Sequence, residues 1–262
     1  MPRGCHVVRV FTREGAGGNY LGVVNDVSGL TDAAMQEVAT DLGFSETVFA
    51  DWRDDARPAQ LRIFTPAAEI PFAGHPLVGT AWVYAMVGPG GPGVMECPAG
   101  VVTYRMDGAV MWVDAPISVD VAEAADTADR VVAAGYPVPV RTWRVRLPQE
   151  YLVAEVADDD AVAAAEASPT SDEEIYLFHR RGDRVHARFF APTYGVPEDP
   201  ATGSAAVALA HALAASGQVN GSVTIHQGAE MGHPSEILLE WSPATVRIGG
   251  TVSHEEVRFL DA

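Results

Sequence analysis

Apolar and polar residues alternate over residues 6–11, a period of two that predicts a strand; after the turn Gly15-Ala16-Gly17-Gly18-Asn19 a second strand follows at 20–25. Thr31 then reads as a helix N-cap. Met35, Val38 and Leu42 recur on one helical face and Gly43 supplies the stop, so an amphipathic helix of about three turns is expected. Further strands are expected at 47–51, 61–65, 94–97, 100–105 and 110–113. The segment 76–87 differs. PLVGTAWVYAMV is apolar on every face, opens on Pro76 and stops at Gly88, so it predicts a helix wrapped on all sides. The Gly- and Pro-rich run at 88–93 follows a helix and carries two prolines that remove amides, so it reads as a turn and not as a phosphate loop. Asp158-Asp159-Asp160 ahead of the alanine-rich 161–168 reads as a solvated helix start.

The second half of the chain echoes the first. Arg62-Ile63-Phe64-Thr65-Pro66 is matched by Arg188-Phe189-Phe190-Ala191-Pro192, and Asn19-Tyr20-Leu21 loosely by Glu150-Tyr151-Leu152. His75-Pro76-Leu77-Val78-Gly79-Thr80-Ala81 lines up without a gap on Asp199-Pro200-Ala201-Thr202-Gly203-Ser204-Ala205, and each motif opens an apolar helix, the second running to Ser216. A repeat of half the chain length argues for two similar domains and against a solenoid. The boundary is placed near Asp114-Ala115-Pro116, giving domains 1–116 and 117–262, with the C-terminal tail able to pack on the first.

Composition narrows the chemistry. The chain has 262 residues, 48% of them hydrophobic and 20% charged, which suits a globular protein. Its net charge of −18 disfavours nucleic acid and anionic membrane surfaces as partners. No lysine is present, which removes a Walker lysine, a Ser-Lys dyad and a lysine Schiff base with pyridoxal phosphate. Two cysteines make no disulfide framework, the start lacks the pattern of a signal peptide, and no apolar run approaches the ~20 residues of a membrane span, so a cytoplasmic setting is expected. The eight histidines form no metal-binding pattern, Ser204 lies in no Gly-x-Ser-x-Gly elbow, and Gly15-x-Gly17 lacks a third glycine, so no metal, no serine-hydrolase site and no dinucleotide site are expected.

What remains is a site at helix starts. Amides of Gly74, Gly203, Ser204 and Thr202 at two helix N-termini would suit a small carboxylate, and two such ends facing across a cleft would hold it without lysine. The same motifs also read simply as caps on buried helices. His75 and Asp199, the latter preceded by Glu198, form a titratable set at these ends, although His75 alone also reads as a structural hydrogen-bonding residue. Glu46 opens an apolar strand with no basic neighbour in sequence; half-buried it would have the raised proton affinity of a general base, and exposed it would be a plain strand-end carboxylate.

Gly18-Asn19, Ser45-Glu46-Thr47-Val48-Phe49, the stretch from Arg62 through Phe72-Ala73-Gly74-His75-Pro76 to Ala81, Glu198-Asp199-Pro200-Ala201-Thr202-Gly203-Ser204-Ala205 and Gln227-Gly228 to Ser235 together resemble the PhzF-like phenazine-biosynthesis isomerase family. The resemblance implies an α/β fold of the diaminopimelate-epimerase type: two similar domains, each a curved, mostly antiparallel sheet around a central helix, with the active site between them. It implies proton transfer without a cofactor on a small carboxylate or amino acid, and a homodimer. Catalytic positions carry over to Glu46, Asp199 and His75, and substrate-binding positions to Gly74, Gly203, Ser204, Asn19 and Thr202. Racemases of this fold place cysteines where this chain has His75 and Asp199, so a two-thiol mechanism is not expected. Tyr20 stands where the family commonly has proline, and residues 253–262 lack its usual Gly-containing close. A non-catalytic binding protein of the same fold, or a racemase acting through carboxylates, are the alternative readings.

Overall fold

The computed structural model describes residues 3–52, 58–88, 93–115, 120–122, 125–168 and 171–260. The chain opens on β1 (Arg3–Thr12), which pairs antiparallel with β2 (Asn19–Val24). Helix α1 (Asp32–Leu42) has the expected ends: the Thr31 hydroxyl accepts the Ala34 amide, and Gly43 closes it in the left-handed region at φ 65°. It returns the chain to β3 (Glu46–Asp51), parallel to β2, and β4 (Ala59–Phe64) and β5 (Glu69–Ile70) follow antiparallel. After helix α2 (Gly74–Val87) come β6 (Val94–Cys97), parallel to β4, then β7 (Gly100–Asp107) and β8 (Val110–Ala115) in antiparallel succession.

The same pairing scheme then recurs. A short β9 (Asp120–Ala122) and helix α3 (Ala125–Ala133) lead to β10 (Arg141–Arg146), antiparallel to β11 (Glu150–Glu155). Past α4 (Asp159–Ala163), β12 (Ile175–Arg181) lies parallel to β11, with β13 (Arg184–Ala191) and β14 (Val196–Asp199) antiparallel beyond it. Helix α5 (Gly203–Ala215) precedes β15 (Gly221–Gln227), parallel to β13, and antiparallel β16 (Ser235–Ser242) and β17 (Thr245–Leu260). Strand β17 joins the two runs: Val246 to Thr251 pair with β8, and Thr251 to Leu260 pair with β1.

Side chains repeat as well as strands. Arg62 on β4 forms a bidentate pair with Glu69 on β5, and Arg188 on β13 does so with Glu198 on β14, each guanidinium also lying over a phenylalanine two residues on. Both central helices are buried as their apolar sequences require: Leu77, Val78 and Ala81 of α2 and Ala205 to Ala210 of α5 have no exposed surface. No helix among the described residues is long and apolar enough to cross a membrane.

Three expectations need correction or fall outside this description. The two x-Pro-x-x-Gly-[Ser/Thr]-Ala motifs align in sequence but start their helices in different registers. Pro76 sits in the first turn of α2, which begins at Gly74, whereas Pro200 precedes the N-cap Thr202 of α5. Gly79 therefore lies inside α2, where a β-carbon would stand 2.5 Å from Leu21 and 2.7 Å from Val10; that glycine serves packing and not an open amide. The alanine-rich helix after Asp158 keeps its acidic cap, Asp158 Oδ1 accepting the Ala161 amide at 2.8 Å, but ends at Ala163. Its last carbonyls go to Arg188, which takes up those of Val162, Ala163 and Ala165. Most of the Gly- and Pro-rich run at 88–93 and Pro116 of the boundary lie outside the described residues.

Candidate active site

The starts of β2, β3, α2 and α5 and the end of β14 converge on one place. Asn19 is the first residue of β2, reached by a turn whose Gly18 amide donates to the Pro234 carbonyl at 3.3 Å. Its side-chain Nδ2 donates to Asp199 Oδ1 at 2.8 Å and to the Ala201 carbonyl at 3.3 Å, and lies 3.3 Å from His75 Nδ1. Ser45 donates to Asn19 Oδ1 at 3.2 Å and so fixes the amide's orientation. Glu46 follows as the first residue of β3, in register with Leu21 of β2. Tyr20 stacks on Phe44 at 5.6 Å between ring centroids and steadies this approach.

Asp199 is the most heavily held group. Thr202, the N-cap of α5, donates its hydroxyl to Asp199 Oδ2 at 2.5 Å, and therefore leaves the helix amides without a side-chain cap. Buried Gln227 ties the same loop down, its Nε2 donating to the Asp199 carbonyl at 2.8 Å and to Thr202 Oγ1 at 2.9 Å. Ala73 likewise caps α2 without a side-chain bond. The two helix starts touch: a β-carbon on Gly74 would lie 2.4 Å from the Gly203 carbonyl carbon and 2.6 Å from the Ser204 nitrogen. The helix ends thus abut through bare glycines, where the sequence suggested ends facing each other across a gap. Gly74→Ala should cost about 1–3 kcal/mol or more, because backbone has to move to admit the methyl. Urea unfolding checks this, and a variant with wild-type stability would show that the helix starts do not meet as described.

Burial sets the charge states. Glu46 keeps only 15% of its side-chain surface exposed, and its Oε2, 3.4 Å from His75 Nδ1, has no hydrogen-bond partner. Burial first, and the nearby Asp199 carboxylate second, push its proton affinity well above the ordinary range. Asp199 is also raised by burial, but Thr202 and Asn19 donate to it and pull the other way. Of the two carboxyls that share the site, Glu46, which lacks donors, holds its proton more tightly than Asp199. Burial takes the His75 imidazole down to about 3, opposed only weakly by the Tyr20 backbone, which leaves it neutral.

A cavity, partly open to solvent, lies against this cluster. Ser45, Glu46, Asp199, Thr202 and Ser204 line it, with an apolar wall that includes Ile70, Tyr151 and Phe189. Asn19, Gly74, His75 and Gly203 stand outside the lining, where they brace the lining residues. Glu198 points elsewhere, to Arg188 at 2.7 Å, so the adjacent-carboxylate pair of the sequence is divided between a structural role and the cavity. Cys5 and Cys97 are buried away from the cavity, and burial raises both thiols, that of Cys5 to about 12. Sequence reasoning assigned no part to Ser45, Gln149, Tyr151 and Gln227; Ser45 and Gln227 had a signal, since both belong to the motifs that carry Glu46 and Gly228.

Comparison with known proteins agrees with this arrangement. Residues 8–256 match the model of the phenazine biosynthesis-like protein family. The chain belongs to that family. A trans-2,3-dihydro-3-hydroxyanthranilate isomerase of Pseudomonas fluorescens is 34% identical over 87% of each chain. Among solved structures, a predicted epimerase from Pseudomonas aeruginosa is similar at TM-score 0.82 and 26% identity over the whole of both chains. A hydroxyproline epimerase from Agrobacterium vitis shares the fold at TM-score 0.66 and 11% identity, covering 99% of this chain and 93% of the other. The chain is accordingly an isomerase with the α/β fold of these structures.

Proposed function

We propose that this isomerase moves a proton on a small carboxylate-bearing substrate, with Glu46 as the general acid/base and no cofactor, in a cavity between two similar units spanning 1–116 and 117–262. The observation that carries the reading is Glu46 Oε2, a buried carboxyl oxygen left without a partner in the lining of a cavity it shares with Asp199. A protein interior leaves such a group bare only at a cost, and a base that must meet a carbon-bound proton needs that freedom. Asp199, whose carboxylate form its donors favour, orients the substrate and keeps the Glu46 proton affinity high. Neutral His75 lies beside the Glu46 carboxyl, its Nδ1 3.4 Å from Oε2. The uncapped starts of α2 and α5 supply amides beside Ala73 and Ser204 for the substrate carboxylate. The repeated strand pairing supports the two-unit division, and a homodimer in the cytoplasm is part of the same reading. Two carboxylates on one cavity also fit a carboxylate-based epimerase, which differs only in the product's configuration.

The test is conversion. Purified protein is incubated with trans-2,3-dihydro-3-hydroxyanthranilate and with a panel of small cyclic amino and hydroxy acids, and products are separated by chromatography that resolves both positional isomers and enantiomers. A new positional isomer is the expected outcome; an enantiomer alone would favour the epimerase, and saturable binding without conversion of any acid would favour a binding protein.

The raised Glu46 carboxyl also fixes a pH dependence. A carboxyl whose folded proton affinity exceeds the ordinary 4.5 contributes stability below that value and loses it as pH rises through the folded value. Glu46→Gln removes the titration, so its melting temperature should draw ahead of the wild type's as pH rises from about 4 to about 9. Parallel melting curves across that range would mean that Glu46 is not held protonated by burial.

A further inference from the structure

The cavity holds a second bare acceptor, on a residue outside the acid/base cluster. Gln149 lies between β10 and β11 and lines the cavity. Its Nε2 donates to the Phe72 carbonyl at 3.3 Å, just ahead of the start of α2. That bond decides which way the amide faces, because the flipped amide would set oxygen against the Phe72 carbonyl oxygen. Oε1 is therefore the end not held by Phe72. It is buried and has no partner. Besides Glu46 Oε2, it is the only side-chain atom of the cavity lining, among the described residues, in that condition.

A buried amide oxygen accepts and never donates, so a donor has to be brought to it by water or by a ligand. A ligand without one leaves the acceptor desolvated and bare, and that penalty discriminates more sharply than a gain in apolar contact does. We infer that Gln149 is a specificity-determining residue that selects substrates carrying a hydrogen-bond donor, an amine or a hydroxyl, on the ring or chain that bears the carboxylate. The inference deepens the proposed function and rests on its assignment of the cavity as the substrate site. It assigns Gln149 a part in recognition only, since nothing places it against the reacting carbon. The cross-link to Phe72 gives the residue its fixed aim.

Three probes of nearly equal size separate the possibilities: benzoate, anthranilate and salicylate, each titrated into the full-length protein by calorimetry. The wild type should bind anthranilate or salicylate about tenfold or more tighter than benzoate, the better of the two telling an amine site from a hydroxyl site. In Gln149→Met, close to isosteric and unable to accept, the three affinities should converge while benzoate binding holds or improves. A merely structural role would lower all three affinities together and leave their ratio unchanged. An equal response of the wild type to all three acids would overturn the inference and leave the carboxylate site standing, and this outcome does not depend on any variant folding. If none of the three acids binds, the inference falls together with the site on which it rests.

Discussion

Glu46→Gln is expected to cut turnover of any accepted substrate by about 10²- to 10⁴-fold, the range a positioned general acid/base contributes. The amide fills the same space and still reaches His75 at the back of the cavity, so the fold and the affinity for a carboxylate should survive. What it lacks is a titratable proton. Because the oxygen that is lost has no partner inside the protein, its replacement breaks no internal hydrogen bond, and the loss of rate reports on chemistry alone. Asp199→Asn should behave differently. Asp199 takes hydrogen bonds from Asn19 and Thr202, so its neutral variant disturbs the braces as well as the charge and should raise KM along with lowering kcat. Steady-state kinetics of the two variants separates these outcomes. Wild-type turnover in Glu46→Gln with full loss in Asp199→Asn would exchange the two roles.

Arg188→Met should cost about 3–5 kcal/mol, a large share of the stability of a protein of this size. Its side chain is 7% exposed and that of Glu198 12%, so the change leaves a buried carboxylate without its partner and takes the Arg188 donor from the carbonyls of Ala163 and Ala165 at and just past the end of α4. The matching pair in the first run of strands provides an internal control. Arg62 and Glu69 are 34% and 35% exposed, water screens them, and Arg62→Met should cost only about 1 kcal/mol or less. Replacing Arg188 and Glu198 together by apolar residues should restore much of the loss, since no bare charge remains. Denaturant unfolding measures all three. An Arg188→Met variant within about 1 kcal/mol of wild type would mean that the pair is wetter than its burial indicates.

The sequence was most legible where structure is decided by neighbours in the chain. Thr31 and Gly43 mark the ends of α1 because capping is settled within a turn, and 76–87 demanded burial because no face of it is polar. It misled where distant residues decide. The alanine-rich stretch after Asp160 has the propensity for a longer helix, but Arg188, more than twenty positions on, collects its carbonyls and ends it at Ala163. The repeated motif concealed a shift in helix register, because Gly79 packs against β1 and β2 while Gly203 opens α5. The candidate residues themselves were found by motif. Their arrangement was not, since Asn19 and Asp199 meet across 180 positions and nothing local records that contact. The orphaned oxygens of Glu46 and Gln149 are equally invisible in sequence, because the lack of a partner is a property of the folded surroundings.

Proton movement by Glu46 is tested most directly in heavy water. Wild-type protein and Glu46→Gln are incubated side by side with the panel of cyclic amino and hydroxy acids, and each acid is examined by mass spectrometry for deuterium bound to carbon. The side chain of Glu46 retains contact with solvent, so its proton is renewed from the medium over repeated passes and the label enters the substrate. The account predicts carbon-bound deuterium in at least one acid with the wild type and almost none with Glu46→Gln. No uptake into any acid that binds, or equal uptake by the two proteins, would contradict it.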